Sequence, residues 1–327
     1  MVVKVGFIGT GGISGAHIPF LAQQEDVQLV AMCDVDESRA KARAEQSANP
    51  KCKVYTDFVK MYAEVEMDAV YICLPPFAHT EQELIAAGKG IAIFVEKPIA
   101  TTMEKAEEIA KAIARNNIIS SVGYHWRNVD SADLAKKVLS QRTIAGAHGY
   151  WMGGMPGVAW WRRREGSGGQ LVEQTTHIVD LCRYMVGSNA KTVYASGFKG
   201  LMTDVPNYDI EDMSIVNVTF QNGAIAAITS GCIINQGGPV KLDVFMKGLT
   251  AEVGGGHVNF RGERPEGVPE TYRATQNGYN AEDRIFIDAI KTGDPSKIKS
   301  PYADALETHR ITMAGNQSLD TGEVIHL

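Results

Sequence analysis

Short apolar runs alternate with charged, helix-forming stretches over the first third of the chain. The runs lack the polar alternation of half-exposed strands, which is typical of strands buried on both faces of a parallel sheet. The predicted strands cover residues 2–8, 27–33, 54–55, 69–74, 91–95 and 118–122. The predicted helices follow Ser14 and cover residues 37–47, 77–88 and 101–116. This alternation predicts a doubly wound parallel sheet, the architecture of a Rossmann domain, over residues 1–122.

Strand-like runs dominate the chain beyond about residue 144. The predicted strands cover residues 192–198, 213–220, 224–234, 240–246 and 324–327, and Asn222-Gly223 predicts a hairpin turn. Helices are predicted over residues 174–186, 281–291 and 302–317. The fold class is therefore α/β, with a second α/β domain over residues 123–327 that contains a large, mostly antiparallel open sheet. We expect this domain to bury one sheet face against another subunit, and its last helix to pack back on the first domain.

The first apolar run ends in a glycine-rich turn, Gly9-Thr10-Gly11-Gly12-Ile13-Ser14. The first glycine permits a tight turn, the second lets a pyrophosphate approach the backbone, and the third position must be small, although Ser14 replaces the usual Gly or Ala. The free N–H groups of the following helix favour phosphate. A glycine turn without a ligand is the alternative interpretation.

An acidic residue, Asp34, follows the second apolar run at the spacing where a carboxylate meets the adenosine ribose hydroxyls. We therefore predict that the first domain binds NAD in preference to NADP. Arg39, near the start of the next helix, is predicted either to contact the adenine or to be solvated.

Two further segments follow predicted strands and should reach the carboxyl edge of the same sheet, where ligands bind. The first is Leu74-Pro75, followed by His79, which is either close to the nicotinamide or a solvated surface histidine. The second is Glu96-Lys97-Pro98, whose alternative interpretation is a surface ion pair beside a loop proline.

Composition and charge narrow the class of protein. A chain of 327 residues with 44% hydrophobic and 21% charged residues is expected to be globular and to have two domains. The 32 basic and 38 acidic residues, without a basic block, argue against nucleic acid or an anionic membrane as a partner.

Location is predicted from the same composition. No apolar run approaches the ~20 residues that span a bilayer, and the immediate strand leaves no room for a signal peptide. The five scattered cysteines lack metal-site spacing and are typical of buried thiols in a reducing cytoplasm. We therefore expect a cytoplasmic protein without a bound metal.

Four segments in this order carry a family resemblance: the glycine turn, Glu96-Lys97-Pro98, Gly123-Tyr124-x-x-Arg127, and residues 168–177, which read GGQLVEQTTH. Together with the ending at residues 305–309 and 321–324, they resemble the glucose–fructose oxidoreductase / inositol dehydrogenase (Gfo/Idh/MocA) family. The resemblance covers nearly the whole chain. It implies a Rossmann domain followed by a sheet-rich domain that supplies the substrate pocket and the subunit contacts.

The resemblance implies three catalytic residues. Lys97 matches the family lysine that hydrogen-bonds substrate and cofactor, and Glu173 and His177 match its acid-x-x-x-His pair. The family usually has Asp at the position of Glu173. At this spacing the two side chains are expected to share one helical face, so that the carboxylate orients the imidazole. The alternatives are a helix-surface pair or two metal ligands, and no third ligand at useful spacing supports the metal.

The remaining site residues follow from the turn, the sheet edge and the resemblance. Cofactor binding is predicted for Gly9, Gly11, Gly12, Ile13, Asp34, Arg39, Leu74, Pro75, His79, Glu96, Lys97, Arg127, Trp161 and Arg162. Substrate binding is predicted for Lys97, Tyr124, His125, Trp161, Arg163, Glu173 and His177. His125 stands where the family often has Asn, and the choice between Arg162, Arg163 and Arg164 stays open. Trp161 is either core or an aromatic platform for a sugar, and Asp180 orients either the helix or a substrate.

The predicted function is that of an NAD(H)-dependent oxidoreductase. It would interconvert a hydroxyl and a carbonyl on a sugar, a polyol such as inositol, or a related small molecule. The alternatives are an NAD-dependent glycosidase on the same fold and a dinucleotide-sensing protein without turnover. A homodimer or homotetramer is expected.

Overall fold

The computed structural model describes residues 1–234 and 236–327 and divides them into two compact units. The first unit comprises Met1–Ala100, Glu104–His125 and Gly278–Asp304, and the second comprises Thr101–Met103, Trp126–Asn277 and Ala305–Leu327. The first unit thus includes a segment from late in the chain. The predicted domain boundary after residue 122 stays a prediction.

Strands and helices are numbered separately from the N-terminus. The strands are β1 Val3–Ile8, β2 Val27–Cys33, β3 Lys53–Tyr55, β4 Ala69–Ile72, β5 Ala92–Val95, β6 Ser120–Val122, β7 Ile144–Met152, β8 Ala190–Phe198, β9 Met213–Phe220, β10 Ile225–Gly231, β11 Val240–Met246, β12 Leu249–Gly254, β13 His257–Gly262, β14 Thr271–Arg273 and β15 Ile325–His326. The helices are α1 Ser14–Leu21, α2 Glu37–Glu45, α3 Phe58–Glu64, α4 Gln82–Gly88, α5 Met103–Arg115, α6 Asp130–Leu139, α7 Arg164–Ser167, α8 Gln170–Glu173, α9 Thr176–Val186, α10 Gly278–Thr292 and α11 Tyr302–Thr321.

The first unit contains a six-stranded sheet in the order β3-β2-β1-β4-β5-β6, and every pairing in it is parallel. The predicted Rossmann architecture is therefore confirmed. Its strands are apolar on both faces because helices cover both sides of the sheet. The order reverses beside β1, so that the ends of β1 and β4 form the crevice in which such sheets bind ligands.

Helix α10 belongs to the core of this unit. Phe286 is fully buried, and its ring lies edge-on to those of Tyr71, at 5.7 Å, and Phe94, at 5.6 Å. The sequence predicts this helix but not its place, because local periodicity does not indicate the distant sheet on which an apolar face packs. The short helix α3 was not predicted; the Asp57 side chain caps its first turn by accepting from the N–H of Val59 at 2.8 Å.

The second unit contains a nine-stranded sheet in the order β14-β13-β12-β11-β7-β10-β9-β8-β15. Neighbouring strands are antiparallel except β7 and β10. The mostly antiparallel sheet is confirmed, whereas strands β12 to β14 and helix α6 were not predicted. Helix α9 packs so closely on β7 that a Cβ at Gly149 would lie 2.4 Å from Ile178 Cγ2.

No helix in the described part of the chain is both long enough and apolar enough to cross a bilayer.

Candidate active site

The glycine turn after β1 has the backbone geometry of a phosphate cradle. Gly9 has φ +84°, and a Cβ there would lie 2.3 Å from the Cys73 carbonyl oxygen, so no other residue fits this position. By contrast, a Cβ on Gly11 or Gly12 would meet no atom within 4 Å. The turn is therefore closed against the sheet and open at the two glycines that a pyrophosphate approaches.

Two side chains orient the peptide between Gly11 and Gly12. The Gly11 carbonyl accepts from the Ser14 hydroxyl at 2.8 Å and from Arg43 Nη2 at 3.0 Å. In a trans peptide the C=O and the N–H of the following residue point in opposite directions. The Gly12 N–H therefore points away from Arg43. The backbone thus fits the phosphates of NAD. Sequence analysis missed Arg43, since nothing in the charged pattern of α2 separates it from Arg39.

Asp34 lies directly after β2 with its carboxylate fixed against the turn. Its Oδ2 accepts from the Thr10 N–H at 2.8 Å and the Thr10 hydroxyl at 3.2 Å, and its Oδ1 accepts from the Asp36 N–H at 3.0 Å. The acid thus stands where a ribose ligand is expected. Arg39 is exposed and pairs with Asp36 at 3.4 Å, so its adenine contact stays a prediction.

The segment after β4 lies at the same sheet edge. A Cβ on Gly9 would lie 3.0 Å from Leu74 Cδ2, which brings the half-buried Leu74 and Pro75 to the glycine turn. His79 is buried, and its Nδ1 pairs with the buried Glu83 carboxylate. The solvated histidine that the sequence left open is therefore wrong, and the nicotinamide contact stays a prediction.

Glu96 and Lys97 follow β5, and they differ in burial. Glu96 is 2% exposed, and its Oε1 lies 3.0 Å from His17 Nε2. Its Oε2 accepts from the Lys97 N–H at 3.1 Å. The surface ion pair is therefore wrong, because Glu96 is committed to the interior while Lys97 is half-buried. Direct cofactor binding by Glu96 has no support in this geometry.

The Gly123-Tyr124-His125 segment follows β6 and lies against these groups. A Cβ on Gly123 would lie 2.6 Å from Glu96 Oε1, so a side chain there would displace the carboxylate. The His125 ring stacks on Tyr279 with centroids 3.9 Å apart. Burial lowers the pKa of His125 to about 3, and the positive charges of Lys97 and His17 act in the same direction. His125 is therefore neutral at physiological pH.

Glu173 and His177 lie in the second unit, and their predicted common helical face is wrong. Helix α8 ends at Glu173, and His177 belongs to α9. In a regular α-helix each N–H donates to the carbonyl four residues earlier. Between the two helices the Thr175 N–H instead donates to the Gln170 carbonyl, five residues earlier, at 3.0 Å. The His177 N–H donates to the Gln174 carbonyl, three residues earlier, at 3.2 Å. This irregularity breaks the i,i+4 register, and the sequence pattern cannot reveal it.

The Glu173 carboxylate is positioned by Trp161. The indole Nε1 of Trp161 donates to Glu173 Oε2 at 2.8 Å. Trp161 is fully buried and packs with Ile210 and Cys232. Its ring has no exposed surface for a ligand, which favours the core role of the two that the sequence left open.

The His177 ring lies beside two tryptophans that the sequence did not single out. Its centroid is 5.5 Å from that of Trp151 and 6.0 Å from that of Trp126, and each pair of planes meets at 20°. Trp126 and Trp151 are half-buried, whereas His177 is 6% exposed. The three rings form an aromatic surface. Trp151 lies on β7, for which the sequence predicted no bounds.

Arg127 has a buried partner in the same unit. Its Nε and Nη2 donate to the two carboxylate oxygens of Asp180 at 2.7 and 2.6 Å, and Thr308 donates to Asp180 at 2.9 Å. Asp180 is fully buried, and burial raises its pKa although Arg127 opposes the shift. The structural role of Asp180 is favoured, and cofactor binding by Arg127 stays a prediction.

The three consecutive arginines are distinguished by their partners. Arg163 pairs with Asp209 at 3.1 Å, and Arg164 pairs with Glu211 at 2.6 Å. The buried Nε of Arg162 has no hydrogen-bond partner among the described residues. Arg164 Nη1 is likewise buried without such a partner, so the choice among the three arginines stays open, and the predicted roles of Arg162 and Arg163 stay predictions.

One group within the described ranges could bring three metal-ligand atoms together, namely His17, Glu96 and Glu282, whose ligand atoms lie within 4.8 Å of one another. Both ring nitrogens of His17 already contact carboxylates, Glu96 at 3.0 Å and Asp283 at 2.8 Å. A metal ligand would need one of these nitrogens free of a proton. The geometry favours hydrogen bonding over metal binding.

Comparison with known proteins identifies the family. Residues 3–124 match a family described as "Oxidoreductase family, NAD-binding Rossmann fold", and residues 141–252 match the "GFO/IDH/MocA C-terminal domain". The chain is 25% identical to the uncharacterized oxidoreductase YrbE of Bacillus subtilis, over 98% of this chain and 95% of that protein. It is also 25% identical to the myo-inositol 2-dehydrogenase of Thermotoga maritima, over 90% of each.

A solved structure shows the same fold. The scyllo-inositol dehydrogenase of Lactobacillus casei, solved with NAD(H) and scyllo-inositol, superposes with a TM-score of 0.82 at 20% identity, over 100% of this chain and 99% of that one. The two family matches together make up more than half of the 327 residues. The chain therefore belongs to the Gfo/Idh/MocA family of oxidoreductases, and its first 124 residues contain that family's NAD-binding Rossmann fold.

Proposed function

We propose that this protein is an NAD(H)-dependent dehydrogenase or reductase that interconverts a hydroxyl and a carbonyl on a cyclic polyol, such as an inositol, or on a sugar. The observation that carries the proposal is the position of Lys97. It follows β5 at the carboxyl edge of the sheet that also carries the glycine turn and Asp34. Lys97 is half-buried at that edge, and its positive charge can stabilise negative charge on a substrate oxygen bound there.

The substrate class has two supports. The myo-inositol 2-dehydrogenase relative and the scyllo-inositol complex are named for cyclitols. The rings of Trp126 and Trp151 beside His177 offer an aromatic surface on which the C–H face of a cyclic polyol can pack.

Each residue has one role in the proposed reaction. NAD, when bound, supplies the hydride acceptor. His177 takes the hydroxyl proton or returns it, because an imidazole changes its charge close to neutral pH. Lys97 stabilises negative charge that develops on the substrate oxygen. Glu173, whose carboxylate is held by Trp161, accepts a hydrogen bond from a substrate hydroxyl, and Arg162 binds a ligand phosphate or hydroxyl.

The test is a substrate panel. Purified protein with NAD⁺ is offered inositols, aldoses, amino sugars and uronates, and NADH absorbance is followed. We expect net NADH with at least one cyclic polyol or sugar. Release of an aglycone from a glycoside without net NADH would support the glycosidase instead, and cofactor binding without turnover on either panel would support the sensor.

Assembly is part of the proposal. Alternate residues on strands of the second unit's sheet expose apolar side chains. Among them are Ile215, which is 43% exposed, and Ile225, which is 60% exposed. A homodimer or homotetramer that covers this face is expected. Sedimentation at micromolar concentration checks it, and a monomer would contradict it. A cytoplasmic location stays a prediction.

A further inference from the structure

His17 lies inside the first unit on helix α1, one turn after the glycine loop. Its side chain has no exposed surface. It is surrounded by rings, with the centroid of Phe94 at 5.1 Å, that of Tyr71 at 5.4 Å and that of Tyr279 at 5.6 Å. A histidine in such an apolar cage needs a partner for each ring nitrogen.

Two buried carboxylates supply those partners. The Nδ1 atom lies 2.8 Å from Asp283 Oδ1, and Nε2 lies 3.0 Å from Glu96 Oε1. When Asp283 and Glu96 are both ionised they can only accept, and a neutral imidazole has one N–H, so both contacts are then hydrogen bonds only if His17 is an imidazolium. Burial lowers the pKa of His17, but the charges of Asp283 and Glu96 outweigh it and raise that pKa well above its ordinary value.

This bridge joins three segments that are distant in sequence. It connects the helix that follows the glycine turn, the segment after β5 and helix α10. Its far end is the carboxylate of Glu96, whose second oxygen accepts from the Lys97 N–H at 3.1 Å. The missing Cβ of Gly123 leaves room for the same carboxylate.

We propose that His17 is a positioning residue, which through Glu96 fixes the backbone at Lys97 and thereby the place of the Lys97 ammonium. The proposal rests on the proposed role of Lys97 in the reaction. Without the imidazolium, Glu96 and Asp283 would be buried charges without their shared donor and would have to protonate or move. Either change disturbs the acceptor that holds Lys97.

The expected effect follows from misplacement. A catalytic group displaced by about 1 Å can cost on the order of 10²-fold in rate. NAD affinity should fall far less than kcat, because His17 faces the interior, the glycine turn is held by Ser14 and Arg43, and Lys97 is one of several groups predicted to bind the cofactor. A loss of kcat much larger than the loss of cofactor affinity distinguishes positioning from a general loss of structure.

The experiment uses His17→Gln, which has one amide and cannot donate to two carboxylates in opposite directions. Phe286→Leu is the matched control, since it truncates a fully buried side chain beside Tyr71 and Phe94 without touching a polar group of the bridge. We expect His17→Gln to lower kcat on the substrate found by the panel by about 10²-fold, and Phe286→Leu to leave it nearly unchanged. Equal kcat in both variants would overturn the proposal.

A second measurement needs no substrate. An amine-acylating reagent is added to each variant, and modification of Lys97 is quantified by mass spectrometry relative to the exposed Lys89. A changed Lys97 rate in His17→Gln alone supports the bridge, and an unchanged rate contradicts it, even if no panel substrate turns over and the proposed function itself fails. If His17→Gln does not fold, Asp283→Asn takes its place, because it keeps the shape of the side chain but removes one charge. This variant should likewise change the rate at which Lys97 is modified.

Discussion

The functional side chains of the first unit are placed by the backbone, whereas those of the second unit are placed by side-chain contacts. In the first, Asp34 and Lys97 each follow a parallel strand, so the sheet itself delivers them to one edge. In the second, Glu173 takes its position from Trp161, and His177 lies against Trp126 and Trp151. Substitutions should therefore act differently: in the first unit they act on a strand end or on a hydrogen bond that fixes it, such as that of Glu96 with the Lys97 N–H, and in the second they act on packed neighbours.

The largest expected effect is on proton transfer. His177→Ala should lower kcat by about 10²–10⁴-fold, the usual contribution of a general acid or base. Dinucleotide affinity should stay nearly unchanged, because His177 belongs to the second unit and the glycine turn to the first. Steady-state kinetics and NADH titration check both. Lys97→Ala should do comparable harm and also weaken cofactor binding.

The assignment has a clear failure. If His177→Ala keeps near wild-type turnover on the true substrate, the proton carrier is Lys97 or Tyr124.

Trp151→Leu sharpens the comparison of the two units, because it removes aromatic surface beside His177 without removing the imidazole. It should raise KM for cyclic polyols more than it lowers kcat.

Cofactor choice is the next effect in size. The Asp34 carboxylate would repel a 2′-phosphate, and like charges at an interface cost several kcal/mol. We expect kcat/KM to favour NAD⁺ over NADP⁺, and Asp34→Ser to shrink that ratio. Comparing both cofactors with both proteins checks the prediction, and equal use of NADP⁺ by the unchanged protein would contradict it.

Arg43 tests how the glycine turn is held. Its guanidinium donates to the Gly11 carbonyl at 3.0 Å, and hydrogen bonds from charged groups contribute about 1.5–3 kcal/mol. Arg43→Leu should therefore weaken NADH binding by roughly tenfold. Lys41→Leu is the control on the same helix, because Lys41 is exposed and pairs with Glu37 at 3.0 Å. Similar losses in both variants would show that charge, and not the Gly11 contact, matters.

The difference between the units also sets what sequence can predict. Gly9, Asp34 and Lys97 were predictable because strand periodicity places the residue after each strand at one edge. His17 and Arg43 were not, because each acts through one contact with a segment whose distance only the fold decides. The Glu173/His177 spacing misled for a local reason, since a single i,i−5 bond at Thr175 breaks the register that the pattern assumes.

The last expected effect is on stability and not on binding or rate, and it is a pH dependence caused by His125. Its pKa is lowered to about 3 by burial and by the charges of Lys97 and His17, whereas in the unfolded chain it titrates near ~6.5. Between these values the unfolded state binds a proton that the folded state does not. Stability therefore falls as pH falls, by up to about 1.4 kcal/mol per pH unit.

His125→Asn should remove this slope. The variant loses the stack on Tyr279 at every pH, so the comparison uses the slope of the unfolding free energy and not its absolute value. Urea unfolding between about pH 6.5 and about pH 4.5 measures this slope. The pKa of His17 is raised in the folded protein, so its contribution to stability is fully present below the pKa of the unfolded chain and does not add to the slope there. Depressed carboxyl groups such as Glu252 lose their contribution only at lower pH and equally in both proteins. Parallel slopes would mean that His125 takes up its proton in the folded state as readily as in the unfolded chain.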